Sequence, residues 1–184
     1  EDCQFGYRNS VFKNEVKGQY IITSVTFQLS KKNHQLKTDY GAILNELDKK
    51  GISKPTIKDV SDVIISIRER KLPNPKEIGN SGSFFKNPII SISAFEKLQE
   101  KYPEIPSYKI SEAEVKVPAG WLIDQAGFKG YRNGDAGVHK NQALVLVNYG
   151  NATGEEIFEL AEFIQEKIKK KFEVDLEMEV NIIS

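Results

Sequence analysis

Ser81 and Ser83 flank Gly82, just after Gly79-Asn80 and just before Phe84-Phe85-Lys86-Asn87-Pro88. The wider stretch, Lys71–Pro88, adds Pro73, Pro75 and Lys76 and has neither helical nor strand periodicity. A loop of that length inside a compact domain is uncommon unless it is functional. Gly79 and Gly82 suggest a backbone shaped to turn at positive φ or to approach a ligand. Lys71, Lys76 and Lys86 would make such a cradle attractive to an anion such as a diphosphate. The segment lacks the G-x-x-x-x-G-K-[ST] pattern of a Walker loop and the G-x-S-x-G pattern of a nucleophile elbow. Residue types alone leave two readings open: an anion cradle, or a surface loop whose serines only bond nearby backbone.

Four segments in order resemble one family. Gly79-Asn80-Ser81-Gly82-Ser83-Phe84-Phe85-Lys86-Asn87-Pro88 is similar to the catalytic-serine signature of UDP-N-acetylenolpyruvoylglucosamine reductase. Phe5-Gly6-Tyr7-Arg8 resembles that family's FGYR motif, and Ala119–Gln125 with Gly130 resembles its AGWLIDQ-x-x-x-G motif. Leu176-Glu177-Met178-Glu179-Val180 resembles its C-terminal LEPEV strand. The match runs from residue 3 to residue 180 and includes Tyr40, which resembles the mobile tyrosine of the form carrying an extra loop. Three positions depart from the pattern: Ser81 for alanine, Met178 for proline and Asn9 for aspartate.

The resemblance implies a reaction in which a hydride passes from reduced FAD, itself reduced by NADPH, to an enolpyruvyl double bond. A proton then goes to the adjacent carbon. Such chemistry needs a proton donor and groups that hold a carboxylate while charge develops. Ser83 matches the proton-donating serine; a hydroxyl is so weak an acid that only a strongly basic carbon, such as an enol, would take its proton. Arg8 matches the arginine whose guanidinium would grip the enolpyruvyl carboxylate in a planar fork. Glu179 matches the glutamate that would stabilise the enol intermediate, although strand alternation alone predicts an ordinary exposed carboxylate there. Tyr7, Tyr40, Lys71, Asn87 and Gln142 match substrate-side positions, with Lys71 and Asn87 near the diphosphate.

The implied fold is α+β. Residues 1–72 would be the remnant of a second FAD-binding subdomain, 73–173 a substrate-binding domain, and 174–184 a strand returning to the flavin side. The glycine-rich flavin pyrophosphate segments of the family's N-terminal part are not found, and no G-x-G-x-x-G run compensates. FAD would therefore be held mainly outside this chain, and the chain alone is expected to be inactive. The competing reading is a non-catalytic nucleotide- or anion-binding module built on the Lys71–Pro88 loop. The implied partner is UDP-N-acetylglucosamine enolpyruvate.

Bulk properties fit this picture. The chain has 184 residues, enough for one domain or two small ones. Its 26 basic and 26 acidic residues cancel, giving no pull toward nucleic acid or membrane. Cys3 stands alone, which fits a reducing compartment, and the expected location is cytoplasmic. With only His34 and His139 beside it, a zinc site is not expected.

Several elements must position these residues. Tyr20–Leu29 is rich in β-branched residues and predicts a strand. Tyr40–Lys50 predicts a helix closed by Gly51. Thr56 with Asp59 predicts a cap for a helix burying Val60, Val63, Ile64 and Ile67, and Pro73 forbids its continuation. Ser93 with Glu96 predicts a capping box for a short helix through Leu98. Ala119–Ala126 predicts a helix ended by Gly127, and Ala143–Val147 a buried strand. Thr153 with Glu156 predicts the longest helix, buried through Ile157, Leu160, Ala161, Ile164 and Ile168. A closing strand would then alternate Val174, Leu176, Met178, Val180 and Ile182 on its buried face.

Overall fold

The computed structural model describes residues 2–6, 8–39 and 42–183. The chain divides into two compact units, Glu1–Lys37 and Thr38–Ser184. In the smaller unit, Gly6 and Asn9 exchange backbone hydrogen bonds of 3.0 and 3.3 Å, closing a tight turn that holds Arg8 at φ +56°. A single 3₁₀ turn, Val11–Lys13, follows. The strand expected over Tyr20–Leu29 does not form. A strand exists only when a neighbour takes its N–H and C=O groups, and no described residue pairs with this segment. Its apolar side chains are consequently exposed, Ile21 at 91% and Phe27 at 75%.

The larger unit opens with two helices, α1 (Ile43–Lys49) and α2 (Ile57–Lys71), which share a small core of Ile43, Leu47 and Val63. Gly51, at φ +70°, ends the first as expected. Thr56 and Asp59 form a reciprocal capping box on the second. Val60 and Ile67 pack beside Val63, but Ile64 is exposed because it lies one position round from the stripe.

All strand pairs are antiparallel. In one sheet, β1 (Gly79–Ser83) pairs with β7 (Val145–Asn148), which pairs with β6 (Ala136–Val138), which pairs with β5 (Arg132–Asn133). In the other, β4 (Glu114–Lys116) lies between β2 (Ile89–Ser91) and β3 (Tyr108–Lys109). Helix α3 (Ile92–Lys101) follows β2 directly. The helices α4 (Ala119–Gln125) and α5 (Gly154–Phe172) pack over one core with Leu146, Val138, Leu122 and Ile123. α5 has the expected Thr153–Glu156 box and buries Leu160, Ala161, Ile164 and Ile168, with Phe172 added at its end. This is the α+β arrangement the sequence predicts.

Three further expectations change. The α3 cap is Ser91, whose Oγ accepts from Ala94 N at 3.2 Å; Ser93 stands inside the first turn. Strand β2 runs straight into the helix, so the last strand residue becomes the cap. Gly79–Ser83, which lacks strand periodicity, is a strand because β7 supplies its hydrogen-bond partners. The closing segment is not a full strand. It meets Phe85 through one bridge at Met178, with Lys86 N donating to Glu177 O and Glu179 N to Phe84 O, each at 2.8 Å. Val174 and Leu176 are buried as expected, but Ile182 is exposed beyond the last pairing.

Candidate functional site

The register of β1 on β7 organises the serine segment. Asn80 lies opposite Val147 and Ser83 opposite Val145, so Ser81 and Gly82 together face the single residue Leu146. That extra residue is a β-bulge. Gly82 sits at φ +77° within it, a conformation that side chains resist. Gly79, by contrast, is not at positive φ and simply lies against Asn148, so only one of the two glycines meets the expected conformational demand.

Beyond the bulge, Phe84 and Phe85 are buried and in ring contact at 5.3 Å, anchoring the segment in the core. The hydrogen bond from Glu179 N to Phe84 O puts the backbone of Glu179 beside the residue that follows Ser83. Glu179 is half-buried, not the open carboxylate that alternation predicts, because the segment here runs alongside Phe84–Lys86. The cationic character of the loop is weaker than expected. Lys86 forms an ion pair with Glu177 on the neighbouring segment, and Lys71 is the last, exposed residue of α2.

Asn87 and Gln142 converge on the start of α4. Pro118, the residue preceding that helix, offers no side-chain cap. Asn87 Oδ1 instead accepts from Ala119 N at 2.9 Å, across 32 residues of sequence. Gly120, next in the helix, lies so near Gln142 that an added Cβ would stand 3.3 Å from Gln142 Oε1. The turn carrying Gln142 is tied to α2 as well, since Asn141 Nδ2 donates to Arg70 O at 3.3 Å. The fold thus links the neighbourhoods of Ser83, Glu179, Asn87, Gln142 and Lys71 within one unit. Arg8 belongs to the other unit, where it is exposed. Tyr7 and Tyr40 lie outside the described residues.

Two open clefts flank this region. One, of about 620 Å³, is lined by Asn80, Ser81, Phe84, Leu146, Phe158 and Val180. It contains Ser81 and not Ser83 in its wall. The other, of about 720 Å³, runs along the end of α2 past Arg68, Asn74, His139 and Asn141. His139 is 9% exposed, and its buried Nδ1 has no hydrogen-bond partner among the described residues. Burial, with Lys140 adding repulsion, holds its pKa below the ordinary histidine value. Among the described residues no group of three or more His, Cys, Asp or Glu could hold a metal ion, and no helix is long and apolar enough to cross a membrane.

The residue that sequence reasoning passed over is Asn80. Its Oδ1 accepts from Gly82 N at 3.1 Å and its Nδ2 donates to Ile78 O at 3.0 Å, bracing the bulge from within. An Asn two residues ahead of a glycine is the signature of such a turn.

Residues 74–183 match the family model of the UDP-N-acetylenolpyruvoylglucosamine reductase C-terminal domain. The chain belongs to that family. It is 63% identical over 182 residues to the UDP-N-acetylenolpyruvoylglucosamine reductase of Flavobacterium johnsoniae, covering 99% of this chain and 54% of that protein. Against the reductase of the same name from Chromobacterium violaceum the identity is 50%, covering 99% of this chain and 53% of the relative. The crystal structure of the Thermus caldophilus reductase aligns with a TM-score of 0.40 and 24% identity, over 72% of this chain and 35% of that one. The chain spans about half the length of the curated relatives it matches. In this chain the AGWLIDQ motif is helix α4, and its first residue is the one that Asn87 caps.

Proposed function

We propose that this chain is the substrate-binding and proton-donating half of a reductase that converts UDP-N-acetylglucosamine enolpyruvate to UDP-N-acetylmuramate for peptidoglycan synthesis in the cytoplasm. The observation that carries the reading is the β1 bulge, which sets Ser83 opposite Val145 with the backbone of Glu179 alongside. In this reading the Ser83 hydroxyl gives its proton to the substrate carbon, which becomes basic as hydride arrives on its neighbour. Glu179 hydrogen-bonds the enol, and Arg8 holds the carboxylate as it takes up charge. Lys71, Asn87, Gln142, Tyr7 and Tyr40 hold the UDP-sugar. With Asn87 Oδ1 committed to Ala119, its amide Nδ2 is the group that meets a phosphate oxygen.

The hydride source for the parent enzyme is FAD recharged by NADPH, and the N-termini of the two longest helices offer its pyrophosphate no seat. Helix N-termini are the usual seats for such groups. Those of α2 and α5 are already closed by their own capping boxes, each carrying an acidic side chain. Residues 1–72 are assigned to the flavin-binding side, with 73–173 as the substrate domain and 174–184 returning toward the flavin. The exposed apolar side chains of Ile21–Leu29 support a flavin-side place for that segment alone, because such a segment suits pairing with strands of a flavin-binding half. The alternative, a general anion-binding module, is weakened by the Lys86–Glu177 ion pair, which removes charge from the loop.

Calorimetry of the 184-residue chain tests the substrate reading: the enolpyruvyl UDP-sugar should bind more tightly than UDP, and Arg8→Ala should erase the difference. Equal binding of both ligands refutes it. Fused behind the flavin-binding half of a relative, Ser83→Ala should leave NADPH-driven flavin reduction intact and stop reoxidation by substrate. Loss of the NADPH half-reaction alone would contradict the proton-donor role.

A further inference from the structure

On an uninterrupted strand Ser81 and Ser83 would project from the same face, because side chains alternate with a period of two. The observed register separates them. Directly opposed residues share a face, so Ser83 stands with Val145, Val147 and Asn80, whereas Ser81 lines the cleft beside Phe84 and Leu146. The extra residue of the bulge makes the difference, and its turn is held from one side chain. Asn80 spans it, accepting from Gly82 N and donating to Ile78 O. At Gly82 an added Cβ would meet nothing within 4 Å, so what the position demands is its φ of +77° and not space.

We propose that Asn80 is a positioning residue that sets which face of the sheet presents Ser83. The proposal rests on the reading of Ser83 as proton donor. The Asn80 amide is spent on Gly82 N and Ile78 O, so it acts through the bulge, and the bulge fixes the serine. Without its Oδ1 the Gly82 amide loses its acceptor. The strand is then free to straighten, and a one-residue change of register returns Ser83 to the cleft face. The same change turns Phe84 away from the core cluster.

The test uses heteronuclear NMR on the 184-residue chain, reading amide exchange at Gly82 and the cross-strand contact between Ser83 and Val145. In Asn80→Ala the Gly82 amide should exchange about tenfold faster, the order set by one hydrogen bond, and the Ser83–Val145 contact should weaken. Asn80→Asp keeps the accepting oxygen and should restore both. If Asn80→Ala fails to fold, a second pair decides: Gly82→Asn, which tolerates positive φ, should keep the contact, and Gly82→Ala should lose it. An unmoved Ser83–Val145 contact in Asn80→Ala, or equal behaviour of the two Gly82 variants, overturns the proposal. In the fused enzyme, Asn80→Ala should lower kcat at least about 100-fold, the loss that even a 1 Å misplacement brings, with KM and flavin reduction unchanged. Wild-type turnover in Ser83→Ala overturns the proton-donor reading alone and leaves the NMR result for Asn80 standing.

Discussion

Replacing Asn87 by alanine isolates a contact that holds the start of helix α4 from a distant part of the chain. Ala119 is fully buried, and its N–H has Asn87 Oδ1 at 2.9 Å as partner. Pro118 contributes no side-chain cap, so the first turn of α4 depends on this distant oxygen. Removing it leaves a buried donor unsatisfied, which costs about 1–3 kcal/mol. For a chain of this size each kcal/mol lowers Tm by about 2–4 °C, so a fall of roughly 2–12 °C is expected. The measurement is urea and thermal unfolding followed by Trp121 fluorescence. That residue is the only tryptophan, and it packs against Tyr102 and Phe172 in the larger unit. Signals from the smaller unit therefore do not enter. Asn87→Asp retains an accepting oxygen, and a carboxylate at a helix N-terminus is favourable, so this variant should stay near the parent stability. An Asn87→Ala variant that unfolds within about 0.5 kcal/mol of the unmodified chain, the usual range for a neutral surface change, refutes the distant cap. An aspartate variant that loses as much as the alanine one refutes it equally.

Other sites give independent checks. The depressed pKa of His139 means that the unfolded chain takes up that proton first. Stability should therefore be intact above the ordinary histidine range and decline as pH falls through it toward the lower folded value. His139→Gln should flatten this part of a stability–pH curve, and identical slopes would dismiss the effect. Gly137→Ala would place a Cβ 2.6 Å from the Tyr149 ring and 2.9 Å from Tyr131 O, an oxygen that already accepts from Val138 N. Overpacking of about 1–3 kcal/mol should follow, measured by chemical denaturation; an unchanged midpoint would mean that the ring and the β5–β6 turn yield freely. Thr153→Ala removes the α5 cap, whose Oγ1 accepts from Glu156 N, and should cost about 0.5–2 kcal/mol, whereas Thr153→Ser should cost little.

The amino-acid sequence by itself determined the elements whose signals are local. Thr56 with Asp59 and Thr153 with Glu156 marked helix starts, Gly51 and Gly127 marked helix ends, and the apolar spacing of α5 named its buried face. Each of these depends on residues within one or two turns of one another, so periodicity and capping chemistry suffice. The motifs carrying the family resemblance were equally legible as strings of residues. Tertiary structure decided the rest, because it depends on partners far away in the chain. Tyr20–Leu29 has the composition of a strand but no described neighbour to complete one, while Gly79–Ser83 lacks that composition and becomes a strand on β7. The Lys86–Glu177 pair and the Asn87 cap on α4 span 91 and 32 residues. The faces of Ser81 and Ser83 were beyond any local pattern. Two residues apart, they would match on a regular strand, and only the pairing of β1 with β7 reveals the extra residue that separates them.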